Sequence, residues 1–348
     1  MKRLIQSDLT KILIFIILTS SIAALLCPWL YNAGKMIAEV AATRTDSEKI
    51  SWLTQQFANA SFVDFFHAAL ALSGFILAGP FIMWMQLGNT PHQSILPPWR
   101  IKLPRSSQAY KTGQALKHNK RGWLHIGTGI LIASSLTLLM MWLLIYTKWF
   151  NLNHPVMWRE AIQNALFPAA LSAITLEWLF RGFLQGICLR SMRPSLAIIL
   201  ASSIFAIIHL LLPTHGTQPL NPEKWDAGVQ MFSMMGKRLL QPADITLPFL
   251  TLFSIGIILA YARLRTASLW LPIGLHFGWL YTHRIFDQIS TLNGEHLAAA
   301  QLFISAERTT GFLPLSLLIA TALLVHTFAQ ISEEKRQIKK DVNIPPSS

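Results

Sequence analysis

The chain has 348 residues, of which 52% are hydrophobic and only 13% charged, and its formal net charge is +13. Soluble domains carry about 25% charged residues, so this composition excludes a soluble enzyme and indicates a membrane protein with several spans. Membrane proteins keep an excess of Lys and Arg in their cytoplasmic loops, and we therefore predict no nucleic-acid partner. With only two cysteines, Cys27 and Cys188, both in apolar runs, neither a disulfide framework nor a four-cysteine zinc site is possible.

Long apolar stretches predict an all-α, polytopic membrane fold of about eight transmembrane helices. A bilayer core about 30 Å thick requires about 20 apolar residues per helix. The first stretch follows a basic segment and stays apolar to Tyr31, which favours a retained signal anchor over a cleaved signal peptide. The predicted spans are 12–31, 65–87, 123–147, 162–188, 194–213, 246–262, 267–282 and 311–331.

The basic residues predict how these spans are oriented in the lipid bilayer. They concentrate in alternate connecting segments, most densely in 100–121, which contains no acidic residue. Because cytoplasmic loops hold the excess of Lys and Arg, we predict a multi-pass protein of the cell (inner) membrane with both termini in the cytoplasm. The chain then divides into a three-helix membrane region with a basic cytoplasmic loop (1–150), a core (151–290), and a last helix with a polar cytoplasmic tail (291–348).

Four ionisable residues stand out within the predicted spans: Glu177, Arg181, His209 and His276. Such residues are costly in a bilayer and are functional candidates by default. Glu177 and Arg181 are four residues apart and share a helix face, so they could instead be a neutralising ion pair with a structural role. A third interpretation is an ion or proton pathway lined by the four residues.

The two histidines lie in distinctive local sequences. Phe205 precedes His209 by one helical turn, and a proline and Gly274 loosen the helix just before His276. Together with Glu177, the histidines provide one carboxylate and two imidazoles. These groups could activate water as a Glu/His general base, or they could hold a divalent metal such as zinc with open coordination positions.

Three segments resemble the ordered motifs of the CPBP family of membrane proteins. They read LEWLFRGFLQ at 176–185, FAIIH at 205–209 and SLWLPIGLH at 268–276. The family motifs are E-E-x-x-x-R, F-x-x-x-H and H-x-x-x-N or D, each on its own helix. The family groups type II CAAX prenyl proteases with bacteriocin-processing and Abi-type proteins. The resemblance covers roughly 160–282 and implies a CPBP-like core within the helical bundle.

The resemblance also implies a function and a set of site residues. It matches His209 and His276 to the family's catalytic histidines, and Glu177 and Arg181 to the second glutamate and the arginine of the first motif. With Glu177 as the carboxylate beside the histidines, we predict Glu177, His209 and His276 as catalytic and Arg181 and Phe205 as supporting residues. The implied activity is that of an intramembrane endopeptidase, which uses activated water to cleave peptides or membrane proteins. The implied partners are therefore a peptide or membrane-protein substrate and the lipid bilayer.

Two apolar residues stand at polar positions of the family motifs. Leu176 occupies the position of the first glutamate, and Leu280 that of the Asn or Asp. The alternative function is therefore that of a catalytically degenerate member, which acts as a membrane binding or immunity-type protein. Adjacent residues are about 100° apart on an α-helix. If position 176 faces the histidines, Glu177 faces elsewhere unless the helix is rotated or locally unwound.

Overall fold

The computed structural model describes residues 8–43, 54, 57–84, 122–211, 219, 221–239, 242–266, 268–294, 303–304 and 311–341. These residues are almost entirely helical, and the predicted all-α fold is confirmed. The basic segment 100–121 and the last residues of the predicted tail, 342–348, lie outside the described residues.

Each of the eight predicted spans lies on a helix, with ends that differ by a few residues. The fourth span corresponds to a continuous helical run, in which α4 passes into a π-helical segment and then into α5. The helices are α1 (Asp8–Ala42), α2 (Phe62–Trp84), α3 (Gly122–Tyr146), α4 (Trp158–Leu176), the π-helical segment (Glu177–Leu184), α5 (Gln185–Ser191), α6 (Pro194–Leu211), α7 (Ala227–Leu239), α8 (Pro242–Thr266), α9 (Trp270–Ile289) and α10 (Phe312–Asp341).

Six helices in the described part of the chain are long and apolar enough to cross a membrane. The two predicted spans that miss this standard are the ones that carry Glu177 with Arg181 and His276. Polar groups in these two helices are buried rather than turned to lipid: Glu177 is 0% exposed and His276 is 5% exposed. A helix whose polar residues face protein can lie inside a membrane bundle although its average composition is less apolar.

Two described elements were not among the predictions. The helix α7 lies in a region that we expected to be an external connection, and it escaped detection because it is only 13 residues long and amphipathic. A two-stranded antiparallel sheet pairs β1 (Phe150–Leu152) with β2 (Ser290–Leu292), and Asn151 lies opposite Thr291. Strands this short give no alternating pattern that a sequence could show.

The described residues fall into two compact units. One comprises Met1–Ile95 and Ile208–Ile245, and the other Leu96–Ile207 and Thr246–Ser348. The division therefore falls inside α6. The predicted boundaries near 150 and 290 follow the order of motifs along the chain rather than spatial contacts, and they stay predictions.

In the first unit, α1 packs against both α2 and α7. Phe66 of α2 contacts Phe232 of α7 edge to face, with 5.5 Å between ring centres. At the carboxyl end of α1, the Lys35 ammonium group donates hydrogen bonds to the carbonyls of Ala58 and Ala60 at 2.7 and 2.9 Å. A lysine that satisfies carbonyl groups in this way stabilises the connection between α1 and α2.

In the second unit, α9 packs against α3 and α4. Glycines make the contact with α3 unusually close: a Cβ on Gly129 would lie 2.7 Å from both the Leu271 carbonyl oxygen and the Leu275 nitrogen. Gly278 of α9 makes a similar contact, where a Cβ would lie 2.8 Å from the Ala133 Cβ. This approach of two helix backbones is typical of small residues at helix interfaces in membranes. It fixes the position of α9, which carries His276.

Candidate active site

The candidate site begins where α4 changes its winding. From Glu177 to Leu184 the chain forms a π-helix of eight residues, followed at once by α5. A π-helix closes its hydrogen bonds between residues five apart and is therefore wound less tightly than an α-helix, and such segments are frequent at functional sites. Local unwinding is one of the two ways, with rotation of the helix, in which the sequence allowed Glu177 to face the histidines.

Glu177 and His276 meet directly. The Oε1 atom of Glu177 lies 2.7 Å from Nδ1 of His276, although the residues are 99 positions apart in the chain. Both are buried, with 0% and 5% of their surfaces exposed. A hydrogen bond this short between a carboxylate and an imidazole is a strong one. Glu177 therefore does more than neutralise Arg181.

Arg181 binds the same carboxylate oxygen and fixes it in place. Its Nη1 donates to Oε1 of Glu177 at 3.1 Å, and its Nη2 donates to the Gly256 carbonyl of α8 at 3.4 Å. The guanidinium lies over the Phe205 ring at 4.2 Å from its centre, close enough for a cation–π interaction. The Phe205 ring is also 6.3 Å from the His276 ring. Phe205 thus contacts both polar groups that flank Glu177.

A buried polar column extends this site along the facing surfaces of the π-helical segment, α5 and α8. Gln185, four residues after Arg181, donates through Nε2 to the Ala260 carbonyl at 3.0 Å. Arg263 is 1% exposed and lies within electrostatic range of Glu177 and Arg181. The column therefore holds two guanidinium groups and one carboxylate in a buried environment. Its net charge is positive when all three groups are ionised.

Gln185 and Arg263 were not among the predicted site residues. Gln185 could have been found, because Glu177, Arg181 and Gln185 follow each other at intervals of four and so share a helix face. Arg263 gave no such signal, since it stands beside Arg265 near the end of a span and resembles an ordinary cytoplasmic anchor.

His209 lies in the last turn of α6, one turn after Phe205, and is partly buried. The division between the two units falls between these two residues. Its role beside Glu177 and His276 stays a prediction.

The metal alternative rests on Glu177, His209 and His276. In the part of the chain that the structure describes, no three His, Cys, Asp or Glu side chains form a group that could hold a metal ion. In addition, Glu177 Oε1 already accepts a hydrogen bond from the Arg181 cation and contacts His276 Nδ1. The donor set therefore gives a zinc site no support, and the metal alternative stays a prediction.

The geometry favours an acid–base role for His276. A carboxylate that accepts the Nδ1 proton keeps the imidazole in the tautomer whose Nε2 is unprotonated. The same carboxylate stabilises the imidazolium that forms when Nε2 takes up a proton. About 7% of the His276 side chain remains accessible. Leu176 and Leu280, at the family's two other polar positions, are only partly buried.

Comparison with known families agrees with the motifs. The family model described as Type II CAAX prenyl endopeptidase Rce1-like matches residues 158–282, which run from the start of α4 into α9. Searches of curated proteins and of solved structures give no match. The matched segment contains all three motifs, including Glu177, His209 and His276. The segment 158–282 is therefore similar to the type II CAAX prenyl endopeptidase Rce1-like family, in agreement with the resemblance to the CPBP motifs.

Proposed function

We propose that this membrane protein is an intramembrane endopeptidase in which His276 is the general base and Glu177 orients it. The observation that carries the proposal is the buried 2.7 Å contact between Glu177 Oε1 and His276 Nδ1. The Rce1-like domain supports the protease class, because it spans the residues that form this contact.

In the proposed reaction, Nε2 of His276 removes a proton from a water molecule, and the water oxygen attacks the carbonyl carbon of a substrate peptide bond. Glu177 stabilises the imidazolium produced by this transfer. The same imidazolium then gives its proton to the leaving amine, so that histidine returns to its starting state. Arg181 holds the glutamate in position through its hydrogen bond to Oε1. His209 is the proposed donor to the oxyanion, on the strength of the family motif alone.

The proposed substrates are peptides or membrane proteins cleaved within the bilayer, and the proposed orientation places both termini in the cytoplasm. One contact agrees with the relative direction of two spans in this topology, although it does not bear on which side is cytoplasmic. Tyr261 of α8 and His326 of α10 are hydrogen-bonded at 2.7 Å, each five residues before the end of its candidate span. The two spans therefore end at the same membrane surface, as the predicted topology requires for the segment after α8 and the tail.

A second candidate is a catalytically degenerate member that binds a membrane partner without cleaving it. The observation in its favour is the pair Leu176 and Leu280, which leaves two polar positions of the family motifs without a hydrogen-bonding group. In such a protein, Glu177, Arg181 and His276 hold the helices together and do no chemistry.

The decisive experiment measures cleavage by the purified protein in lipid nanodiscs. The substrates are a mixture of quenched fluorescent peptides and single-span reporter proteins. Loss of a general base lowers the rate by about 10²–10⁴-fold, so we expect this loss in His276→Gln. The matched control is His125→Gln, because His125 is also buried, at 3% exposed, and packs edge-on against Phe328 away from the site. The control should cleave at the native rate.

The outcomes separate the two candidates. Cleavage that is present in the native protein and lost only in His276→Gln supports the protease. If the native protein is inactive but Leu176→Glu with Leu280→Asn cleaves, the protein is a degenerate member whose scaffold remains competent. Absence of cleavage in every form, with native stability, contradicts the proposed activity.

A further inference from the structure

One buried side chain joins the end of the π-helical segment to α8. Gln185 is the first residue after this segment, and its backbone N–H donates to the Phe180 carbonyl five positions earlier, which closes the last π-helical turn. Its side chain is buried, and Nε2 donates to the Ala260 carbonyl of α8 at 3.0 Å. Gln185 therefore ties the end of the π-helical winding to one point on α8.

The hydrogen bond of Gln185 is better formed than the neighbouring one from Arg181. Arg181 stands four residues earlier and donates at 3.4 Å to the Gly256 carbonyl, which lies four residues before Ala260. Distances of about 2.7–3.2 Å are typical of N–H···O hydrogen bonds, so the bond from Arg181 is long and the bond from Gln185 is normal. Of these two links to α8, Gln185 thus makes the stronger one.

The amide of Gln185 carries a cost that an apolar side chain would not. A carbonyl group only accepts hydrogen bonds, so the amide nitrogen faces Ala260 and the amide oxygen faces away. This oxygen, Oε1, is buried, and it has no hydrogen-bond partner in the part of the chain that the structure describes. A buried acceptor without a donor destabilises the folded state. Methionine is also unbranched, fills irregular spaces in a core and carries no such cost.

The other end of the π-helical segment is held by different contacts. The preceding helix, α4, packs against α9, which carries His276. The segment from Glu177 to Leu184 therefore runs between a helix packed on α9 and a side chain bonded to α8. Glu177 is the first residue of this segment, so the direction of its carboxylate depends on how the segment is wound.

We propose that Gln185 is a positioning residue, which keeps the Glu177 carboxylate within hydrogen-bond distance of His276 Nδ1. Without the bond to Ala260, the end of the segment is released and can rewind towards a regular α-helix. Adjacent residues are about 100° apart on an α-helix, so rewinding turns Glu177 away from His276. Only the expected effect on cleavage rests on the proposed function, because the 2.7 Å contact itself is a feature of the structure.

Gln185→Met tests the proposal in the full chain, reconstituted in lipid nanodiscs. Methionine removes the donor to Ala260 and keeps the volume, so the melting temperature should stay the same or rise. Misplacement by about 1 Å can reduce a catalytic rate about a hundredfold, so kcat for peptide cleavage should fall about ten- to a hundredfold. KM should stay within about twofold, because Gln185 acts through the helix and not by binding substrate.

The matched control is Gln288→Met on α9. Gln288 also donates through Nε2 to a backbone carbonyl, that of Arg284 at 3.2 Å, but it is exposed and its bond lies within its own helix. This variant should keep the native kcat and the native melting temperature.

A spectroscopic readout separates this proposal from the proposed function. In protein whose histidines carry a nitrogen isotope label, the Nδ1 proton of His276 should resonate far downfield, because it lies in a short hydrogen bond to a carboxylate. The signal is assigned by its absence from His276→Gln. Gln185→Met should move it upfield, and Gln288→Met should leave it unchanged. The signal requires no cleavage, so an inactive native protein contradicts the proposed function while the signal still decides on Gln185.

Three results would overturn the proposal. In the first, Gln185→Met does not fold or melts at a clearly lower temperature, which would make Gln185 a structural residue. In the second, the His276 signal of Gln185→Met is the same as that of the native protein. In the third, the native protein cleaves peptides and Gln185→Met cleaves them with the same kcat.

Discussion

The close approach of α3 and α9 makes a sharp prediction for Gly129→Ala. A Cβ at this position would lie 2.7 Å from the Leu271 oxygen and the Leu275 nitrogen, about 0.7 Å short of the 3.4 Å at which ordinary contacts begin. Both neighbours are backbone atoms that cannot rotate away, so the helices must separate. Overpacking of this kind costs about 1–3 kcal/mol of unfolding free energy.

The matched control is Gly127→Ala on the same helix. Gly127 is exposed, and a Cβ there would meet nothing within 4 Å. Replacing a helical glycine by alanine stabilises by about 0.5–1 kcal/mol through the unfolded state and helix propensity. Both variants gain this contribution. The difference between their free energies of unfolding, measured by thermal unfolding in detergent, therefore reports the cost of the steric clash at position 129. We expect Gly127→Ala to be the more stable variant by about 1–3 kcal/mol.

The same displacement should reach the candidate site. His276 directly follows Leu275, and a shift of about 0.7 Å would stretch its 2.7 Å contact with Glu177 beyond the usual hydrogen-bond range of ~2.7–3.2 Å. Misplacement by about 1 Å can reduce a catalytic rate about a hundredfold, so we expect a loss of ten- to a hundredfold in cleavage. Equal stability and equal cleavage of the two variants would refute the argument, since the helices would then not be in backbone contact.

Three other measurements test separate parts of the molecule. Arg181→Leu leaves Glu177 without its cation and should lower the free energy of unfolding by about 3–5 kcal/mol. The double change of Glu177 and Arg181 to Leu should recover much of that loss when the variants are compared by thermal unfolding. An unchanged melting temperature in the single variant would mean that the pair is solvated. Lys35→Met removes the donors to the Ala58 and Ala60 carbonyls and should destabilise the first unit by about 1–3 kcal/mol, unlike Lys237→Met at an exposed position. A reporter fused after Arg105 should read cytoplasmic and one fused after Lys224 external, and an external signal at Arg105 would contradict the predicted orientation.

The sequence predicted the helices well because their signal is local. A run of about 20 apolar residues specifies a span whatever its neighbours are, and each predicted span lies on a helix. The helix α7 was missed because it lacks this local signal. Its 13 residues are amphipathic, and such a short helix is stabilised by packing against a partner. Gly228 shows that partner in the structure, since a Cβ there would overlap the Ala24 carbonyl of α1.

The contacts of the candidate site were less predictable. The motifs identified Glu177, Arg181 and His276 as residues of interest, but a regular α-helix would not turn positions 176 and 177 to the same neighbour. In the structure the π-helical segment begins at Glu177, and Arg181 within it contacts the Gly256 carbonyl and the Phe205 ring. These contacts join residues far apart in the chain, and no spacing rule along one helix reveals them.

The small β1–β2 sheet has a mechanical consequence for the second unit. β1 follows α3 after a short turn and β2 directly follows α9, and side-chain amides reinforce the pairing: Asn153 donates to the Gln288 carbonyl and Asn293 to the Lys148 carbonyl, each at 3.1 Å. The sheet joins α3 and α9 at one end, and close glycine contacts join them along their length. The two helices therefore cannot shift by one turn without losing both the strand pairing and the glycine contacts. His276 is therefore carried by the stiff half of the site. Glu177 lies in the π-helical segment, which is wound less tightly, so we expect any change in the Glu177–His276 distance to arise on that side.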